Sequence, residues 1–231
     1  HQLEKGLAEI GRSLGRLVSA EHRDEILSRI TTSLELSALK DCHLVVEAIT
    51  EDTAAKKNVL AQLDKVVHTE VIIATTTSLT SVTELASVTR QPPRVAGLHC
   101  FFPAPAARVI EIVRGLATAD ETVRLLKQVV AETGKTPVEV NDSAGYVLGR
   151  VLMPMINEAA YALMEGVASI EAIDTVMKLG FNFPSGPLEM ADRIGLDVCL
   201  NYLEYLDRSS GSLRFRPCPL LRKMVAGGYL G

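Results

Sequence analysis

The sequence predicts an α/β fold in which a doubly wound, mostly parallel sheet is followed by an all-helical C-terminal domain. Three observations support this prediction. Short apolar runs alternate with helical segments over the first part of the chain, the strand-like runs end before residue 147, and the later apolar residues recur at helical spacing. Strands that alternate with helices form parallel sheets, because parallel neighbours need a crossover connection. We therefore predict two domains, over residues 1–142 and 143–231.

Five apolar runs have the character of buried strands, and helical segments separate most of them. The strand-like runs cover 43–49, 71–74, 95–100, 109–113 and 136–140. Helical spacing predicts helices at 53–67, at about 81–88 and at 119–132. The first residues also follow a helical period, with one apolar face formed by Leu3, Leu7, Ile10, Leu14 and Leu17. Since no capping residue precedes them, we expect the sequence to begin inside a helix.

Composition and charge exclude several classes of function. The chain has 231 residues, of which 47% are hydrophobic, and its formal net charge is −4. Nucleic-acid and membrane-surface binding depend on clustered positive charge, so neither partner is expected. The four cysteines form no CxxC pair, and no metal site is expected. No apolar run reaches the roughly 18 residues of a membrane span, and we expect a cytoplasmic protein that binds small molecules.

Polar residues concentrate at the ends of the predicted strands, where this class of sheet binds its ligands. The hydroxyl cluster at 75–78 could hydrogen-bond a ligand or cap the following helix, and by itself it is better interpreted as a cap. Glu47 and Glu51 lie at the end of another strand, with Lys56 on the helix that follows. Taken alone, these three charges are best interpreted as surface charge at a helix N-terminus.

Glu111 is a carboxylate inside an apolar strand, and burying it is costly unless it has a partner. His99 ends the preceding strand and could meet Glu111 across a proline-containing turn. Such a pair would be a general base with the residue that orients it. The spacing leaves alternatives open, because Glu111 could pair with Arg108 or Arg114 instead, and a lone histidine near a strand end is more often structural.

Taken in chain order, these segments resemble the 3-hydroxyacyl-CoA dehydrogenase family. The matching segments span nearly the whole sequence and are Leu44–Glu51, Thr77–Ser78, Gly97–His99 with Pro103 and Pro105, Glu111, Asp142–Gly145 with Arg150, Ile173–Gly180, Gly186–Glu189 and Gly195–Asp197. The resemblance implies a Rossmann-like NAD-binding domain over 1–142. It also implies that residues 143–231 form a domain for substrate binding and dimerisation, and hence a homodimer.

The resemblance also implies an activity, the reversible NAD-dependent oxidation of an L-3-hydroxyacyl-CoA to the 3-ketoacyl-CoA in fatty-acid or related acyl-CoA metabolism. His99 would take the hydroxyl proton, Glu111 would hold His99, and Ser78 would hydrogen-bond the reacting oxygen. Glu51 and Lys56 match positions that contact the cofactor in the family. The cofactor contacts that the resemblance implies are Glu51, Lys56, Thr76 and Ser78.

Three asparagines of the family pattern are replaced in this sequence. Thr76, Phe102 and Gly149 stand where the family has asparagines that orient the nicotinamide and the thioester, so we expect weaker positioning with the acid–base pair retained. The G-x-G-x-x-G turn that binds a pyrophosphate is absent from the 231 residues, and we expect them to belong to a longer chain. Two alternatives stay open: a catalytically impaired protein that binds CoA thioesters, and a dehydrogenase of small 3-hydroxy acids.

Overall fold

The fold is that of a computed structural model, which describes residues 2–100 and 104–231, and it confirms the predicted fold class. The sheet-containing part is built from α1 (Gln2–Leu14), α2 (Ala20–Ser28), β1 (Leu44–Glu47), α3 (Thr53–Val66), β2 (Ile72–Thr75), α4 (Val82–Ala86), β3 (Val95–Cys100), β4 (Val109–Arg114), α5 (Asp120–Glu132) and β5 (Thr136–Asn141). The helical part that follows is built from α6 (Tyr146–Met164), α7 (Ile170–Phe181), α8 (Pro187–Ile194), α9 (Leu196–Ser210) and α10 (Pro219–Ala226).

The five strands form one sheet in the order β1-β2-β3-β4-β5. Strands β1, β2 and β3 are parallel, β4 is antiparallel to β3, and β5 is parallel to β4. In the antiparallel pair His99 lies directly opposite Glu111. Side chains that are directly opposite in such a pair lie on the same face of the sheet. The register therefore brings the imidazole and the carboxylate together.

Helices cover both faces of the sheet, which is what makes it doubly wound. Successive side chains of a strand point to opposite faces, and β2 shows this directly, since Ile73 packs in one apolar cluster and Ile72 in another. The first cluster includes Leu60 of α3 and Leu85 of α4. The second includes Leu126 of α5.

The helical domain has its own core, formed mainly by α6, α8, α9 and α10. Its buried side chains include Met153, Ile156, Cys199, Leu203, Leu206, Phe215 and Leu221. In the part of the chain that the structure describes, no strand follows β5, as the end of the strand-like runs predicts. None of the described helices is long and apolar enough to cross a membrane.

Two predicted helices differ from the observed ones. Helix α1 forms and packs against α2, but none of its described residues is buried. Helix α4 is shorter than the predicted 81–88, because Ser81 is its N-cap and it ends at Ala86. The predicted turn at Pro103 lies outside the described residues.

Candidate active site

His99 and Glu111 form a buried, hydrogen-bonded pair at the carboxyl end of β3. The imidazole Nδ1 lies 2.7 Å from Glu111 Oε2, and both side chains are 4% exposed. Arg114, one alternative partner, instead pairs with Glu139 and Asp120, each at 2.8 Å. The hydrogen-bonded partner that a buried carboxylate requires is thus His99.

The helical domain holds the second oxygen of Glu111. The backbone N–H groups of Val147 and Leu148, in the first turn of α6, donate to Glu111 Oε1 at 3.1 and 3.3 Å. The first N–H groups of a helix have no partner within it, and they carry partial positive charge. They therefore hold the Glu111 carboxylate in a fixed orientation. A sharp turn at Gly145, with φ of 77°, precedes these donors.

Ser78 meets the other nitrogen of the histidine ring. Its hydroxyl oxygen lies 3.0 Å from His99 Nε2. A carboxylate only accepts hydrogen bonds, so Nδ1 carries the proton and donates to Glu111. Nε2 of the neutral ring is then an acceptor that faces the Ser78 hydroxyl. This is the arrangement of a general base whose tautomer is fixed by a neighbouring acid.

A second buried cluster joins β1, β2 and α3. Lys56 is completely buried, and its ammonium donates to both carboxylate oxygens of Glu47, at 3.0 and 3.2 Å, and to the Ile49 carbonyl at 3.3 Å. The Thr75 hydroxyl also donates to Glu47, at 2.6 Å. The interpretation of Glu47 and Lys56 as surface charge is therefore wrong, because both side chains are inside the protein.

Glu51 anchors the loop that carries Ser78. Its carboxylate accepts hydrogen bonds from the Thr77 hydroxyl and from the backbone N–H groups of Ser78, Leu79 and Thr80, the last three at 3.4, 3.1 and 3.2 Å. Glu51 Oε2 also lies 3.8 Å from the Lys56 ammonium. The side chain of Glu51 is 32% exposed, so this carboxylate reaches the surface whereas Lys56 behind it does not.

The hydroxyl cluster at 75–78 does not cap α4. Ser81 is the N-cap, and its hydroxyl accepts from the Glu84 N–H at 3.1 Å. Asp142, directly after β5, accepts from the Ser81 hydroxyl and the Thr83 N–H, both at 2.7 Å. The capping interpretation is thus wrong, and the sequence patterns did not single out Asp142 for this role.

The departures from the asparagine pattern have different surroundings. Thr76 follows β2, and its backbone N–H donates to the Glu47 carbonyl at 2.9 Å. At Gly149 an added Cβ would lie 2.3 Å from a ring carbon of Tyr202. An asparagine at 149 would therefore displace Tyr202, a residue that the sequence analysis did not identify. Phe102 lies outside the described residues.

Comparisons with known proteins show the family to which the chain belongs. The family model "3-hydroxyacyl-CoA dehydrogenase, NAD binding domain" matches residues 1–143, and the model of the C-terminal domain matches 145–231. A probable 3-hydroxybutyryl-CoA dehydrogenase of Bacillus subtilis is 46% identical over 99% of this chain and 81% of its own length. The 3-hydroxybutyryl-CoA dehydrogenase of Bradyrhizobium diazoefficiens is 42% identical, over 100% of this chain and 80% of its own. The crystal structure of (S)-3-hydroxybutyryl-CoA dehydrogenase from Ralstonia eutropha superposes with a TM-score of 0.95 at 43% identity, over 99% of this chain and 82% of that one.

Proposed function

The chain belongs to the 3-hydroxyacyl-CoA dehydrogenase family, with NAD as its cofactor, and we propose that His99, Glu111 and Ser78 carry its reaction. That reaction is the oxidation of an L-3-hydroxyacyl-CoA to the 3-ketoacyl-CoA. The observation that carries the proposal is the hydrogen-bonded series from Glu111 through His99 to Ser78 at the carboxyl end of β3. A protein that only binds thioesters has no use for an acid–base series of this kind, so the non-catalytic alternative is not favoured.

His99 Nε2 is the proposed proton acceptor. As the C3 hydroxyl loses its proton to Nε2, the O–H bond breaks and the C=O bond forms. When bound, NAD accepts the hydride that leaves C3. Glu111 stabilises the imidazolium that results, and the Ser78 hydroxyl donates to the reacting oxygen. In the direction of reduction the same nitrogen returns the proton to the substrate.

The residues around Glu51 suit the nicotinamide end of the cofactor. Ligands of doubly wound sheets bind at the carboxyl ends of the strands, where Glu51, Thr76 and Ser78 lie. Ile49 is 39% exposed beside Glu51 and offers an apolar surface to a planar ring. We propose that Glu51, Thr76 and Ser78 contact the cofactor. Because Lys56 is sealed from solvent, we propose that it supports Glu51 and does not touch the cofactor itself, which revises the expected contact.

The names of the relatives and the free cysteines bear on the substrate and the cellular setting. Relatives named for 3-hydroxybutyryl-CoA favour that short acyl thioester as a representative substrate, within fatty-acid or related acyl-CoA metabolism. Each of the four cysteines is a free thiol. Free thiols are typical of reducing compartments, and we propose a cytoplasmic enzyme on that basis.

We also propose a homodimer, formed through the helical domain. Exposed apolar side chains recur at helical spacing on two helices: Val147 and Val151 on α6, and Val176 and Leu179 on α7, with Leu179 82% exposed. The substitution Leu179→Asp is expected to shift the protein from dimer to monomer in sedimentation velocity. Leu116→Asp is the control, because Leu116 is 90% exposed but lies in the sheet-containing domain. A wild-type monomer would rule out the dimer.

The activity is tested by following NADH oxidation by the full-length protein with acetoacetyl-CoA and, separately, with free acetoacetate. The proposal predicts turnover of the thioester and a much lower kcat/KM for the free acid. Equal kcat/KM values would favour a dehydrogenase of small 3-hydroxy acids. Thioester binding in calorimetry without NADH oxidation would favour the non-catalytic alternative.

A further inference from the structure

Tyr202 connects the helical domain to the loop that carries Ser78. It lies on α9, it is buried, and its hydroxyl donates to the Ser78 carbonyl at 3.2 Å. Burial, and then the nearby charge of Glu111, raise the pKa of Tyr202. The phenol therefore keeps its proton at neutral pH and remains a donor.

Gly149 provides the room for the Tyr202 ring. A Cβ at position 149 would lie 2.3 Å from Cε1, 2.6 Å from the hydroxyl oxygen and 2.7 Å from Cζ of Tyr202. Contacts this short do not occur between real side chains, so any other residue at 149 must push the ring away. Glycine inside a helix is destabilising relative to alanine. This glycine is thus explained by the ring packed against it.

Ser78 is held from both domains. Its backbone N–H donates to Glu51 in the sheet-containing domain, at 3.4 Å, and its carbonyl accepts from Tyr202 in the helical domain. Its hydroxyl lies 3.0 Å from His99 Nε2. The direction of the hydroxyl therefore depends on how these two contacts fix the backbone of the loop.

We propose that Tyr202 is a positioning residue for the reaction: by holding the Ser78 carbonyl, it aims the Ser78 hydroxyl at His99 and the reacting oxygen. This inference rests on the proposed function. A misplacement of about 1 Å can cost up to ~10²-fold in rate. A hydrogen bond that fixes the backbone of Ser78 therefore has a measurable effect on kcat. The competing role is packing alone, since the ring also lies in the helical core with Met153 and Leu203.

A double-mutant cycle separates the two roles. Tyr202→Phe keeps the ring and removes the hydroxyl, and we expect kcat to fall about 5-fold, the equivalent of one hydrogen bond, with little change in Tm or in KM for the thioester. In the Ser78→Ala background the same substitution should lower kcat no further, because the hydroxyl that it positions is gone. An equal fall in both backgrounds, or no fall in either, would overturn the proposal.

Tyr161→Phe is the matched control. Tyr161 is a partly buried tyrosine of α6 that packs against the same helical core, and loss of its hydroxyl should leave kcat unchanged. A fall in kcat equal to that of Tyr202→Phe would mean that removing any core phenol slows the enzyme, and the proposal would then be wrong.

The pairing with Gly149 supplies a second test. Gly149→Ala should lower both Tm and kcat, because the new methyl group displaces the ring. Adding Tyr202→Leu removes the clash and should restore most of the Tm, while kcat stays low because the hydroxyl is still missing. Recovery of kcat together with Tm would show that Tyr202 only fills space.

Failure of the inference is distinguishable from failure of the proposed function. If the wild-type protein reduces acetoacetyl-CoA and the cycle shows no coupling, only the role of Tyr202 is lost. If the wild-type protein does not turn the thioester over, the proposed function is wrong and the inference falls with it.

Discussion

Two buried carboxylates lie near the carboxyl ends of β1 and β3, and their partners decide whether each could take part in proton transfer. Glu111 holds His99, whose second ring nitrogen faces the Ser78 hydroxyl. Glu47 holds Lys56, and the three acceptors around the ammonium match its three protons. The first cluster, of Glu111, His99 and Ser78, can pass a proton to a ligand, and we call it the open cluster. In the second cluster, of Glu47 and Lys56, every proton of the ammonium already has an acceptor, and we call it the closed cluster. A buried carboxylate in a strand is therefore no sign of catalysis until its partner is known.

The largest effect that this comparison predicts is on turnover, from Glu111→Gln. The glutamine oxygen would keep the bonds from Val147 and Leu148, and its NH₂ group would then face His99 Nδ1. Nδ1 would have to accept, so the proton would move to Nε2 and the base would be lost. We expect kcat to fall ~10²-fold or more, measured by NADH oxidation.

The control for Glu111→Gln is Glu139→Gln, which changes a carboxylate that pairs at the surface with Arg114 and Lys127. Its kcat should stay close to that of the wild type. Similar kcat values for the two variants would remove Glu111 from the mechanism and with it the contrast between the clusters.

Disruption of the closed cluster is expected mainly to lower the free energy of unfolding. Lys56→Met leaves the Glu47 charge buried without its cation, which costs about 3–5 kcal/mol of unfolding free energy. For a chain of this size we expect a fall of about 10 °C in Tm, measured by calorimetry. The loss in kcat of the folded enzyme should be smaller than that of Glu111→Gln.

The neighbouring Lys57 provides the comparison for Lys56. Lys57 lies on the same helix as Lys56, but its side chain is 34% exposed, and it pairs with Glu84 of α4 at 2.7 Å. Such pairs contribute ~0–1 kcal/mol, so Lys57→Met should barely move Tm. Equal Tm values for the two lysine variants would contradict the assignment of Lys56 to a buried structural pair.

A smaller effect is expected from the packing beneath the open cluster. Gly97 lies two residues before His99 on β3, and a Cβ there would lie 2.7 Å from Cβ of Val113 on β4. Gly97→Ala should push the two strands apart and cost about 1–3 kcal/mol in chemical denaturation. Gly6→Ala is the control, because a Cβ at Gly6 meets nothing within 4 Å, and it should cause no loss. An unchanged stability of Gly97→Ala would show that the strands tolerate separation at this point.

Much of the fold follows from local patterns. Apolar runs predict every strand of the sheet to within a few residues, and the runs are most continuous in β2, β3 and β4, which are buried along most of their length. The pair of His99 and Glu111 can also be predicted, since a carboxylate within an apolar strand needs a partner and the preceding strand ends in a histidine. These features depend on residues close in sequence or on adjacent strands.

Contacts between the two domains cannot be predicted from such local patterns. The α6 N–H donors to Glu111 and the Tyr202 hydroxyl on Ser78 depend on how the helical domain packs against the sheet. The burial of Lys56 cannot be predicted for a related reason. A lysine on a helix is usually exposed, and only the tertiary structure shows that this one is buried. Periodicity indicates which apolar side chains face the core, and it leaves the distant partners of polar side chains unspecified.

The most direct test of the account is the rate of hydride transfer in a single turnover of His99→Gln, started by mixing the NADH-loaded full-length protein with saturating acetoacetyl-CoA. If His99 Nε2 exchanges the proton, this rate falls ~10²-fold or more while Tm and the affinity for the thioester stay near the wild-type values. A rate equal to that of the wild type would contradict the account, because the reaction would then proceed without the imidazole.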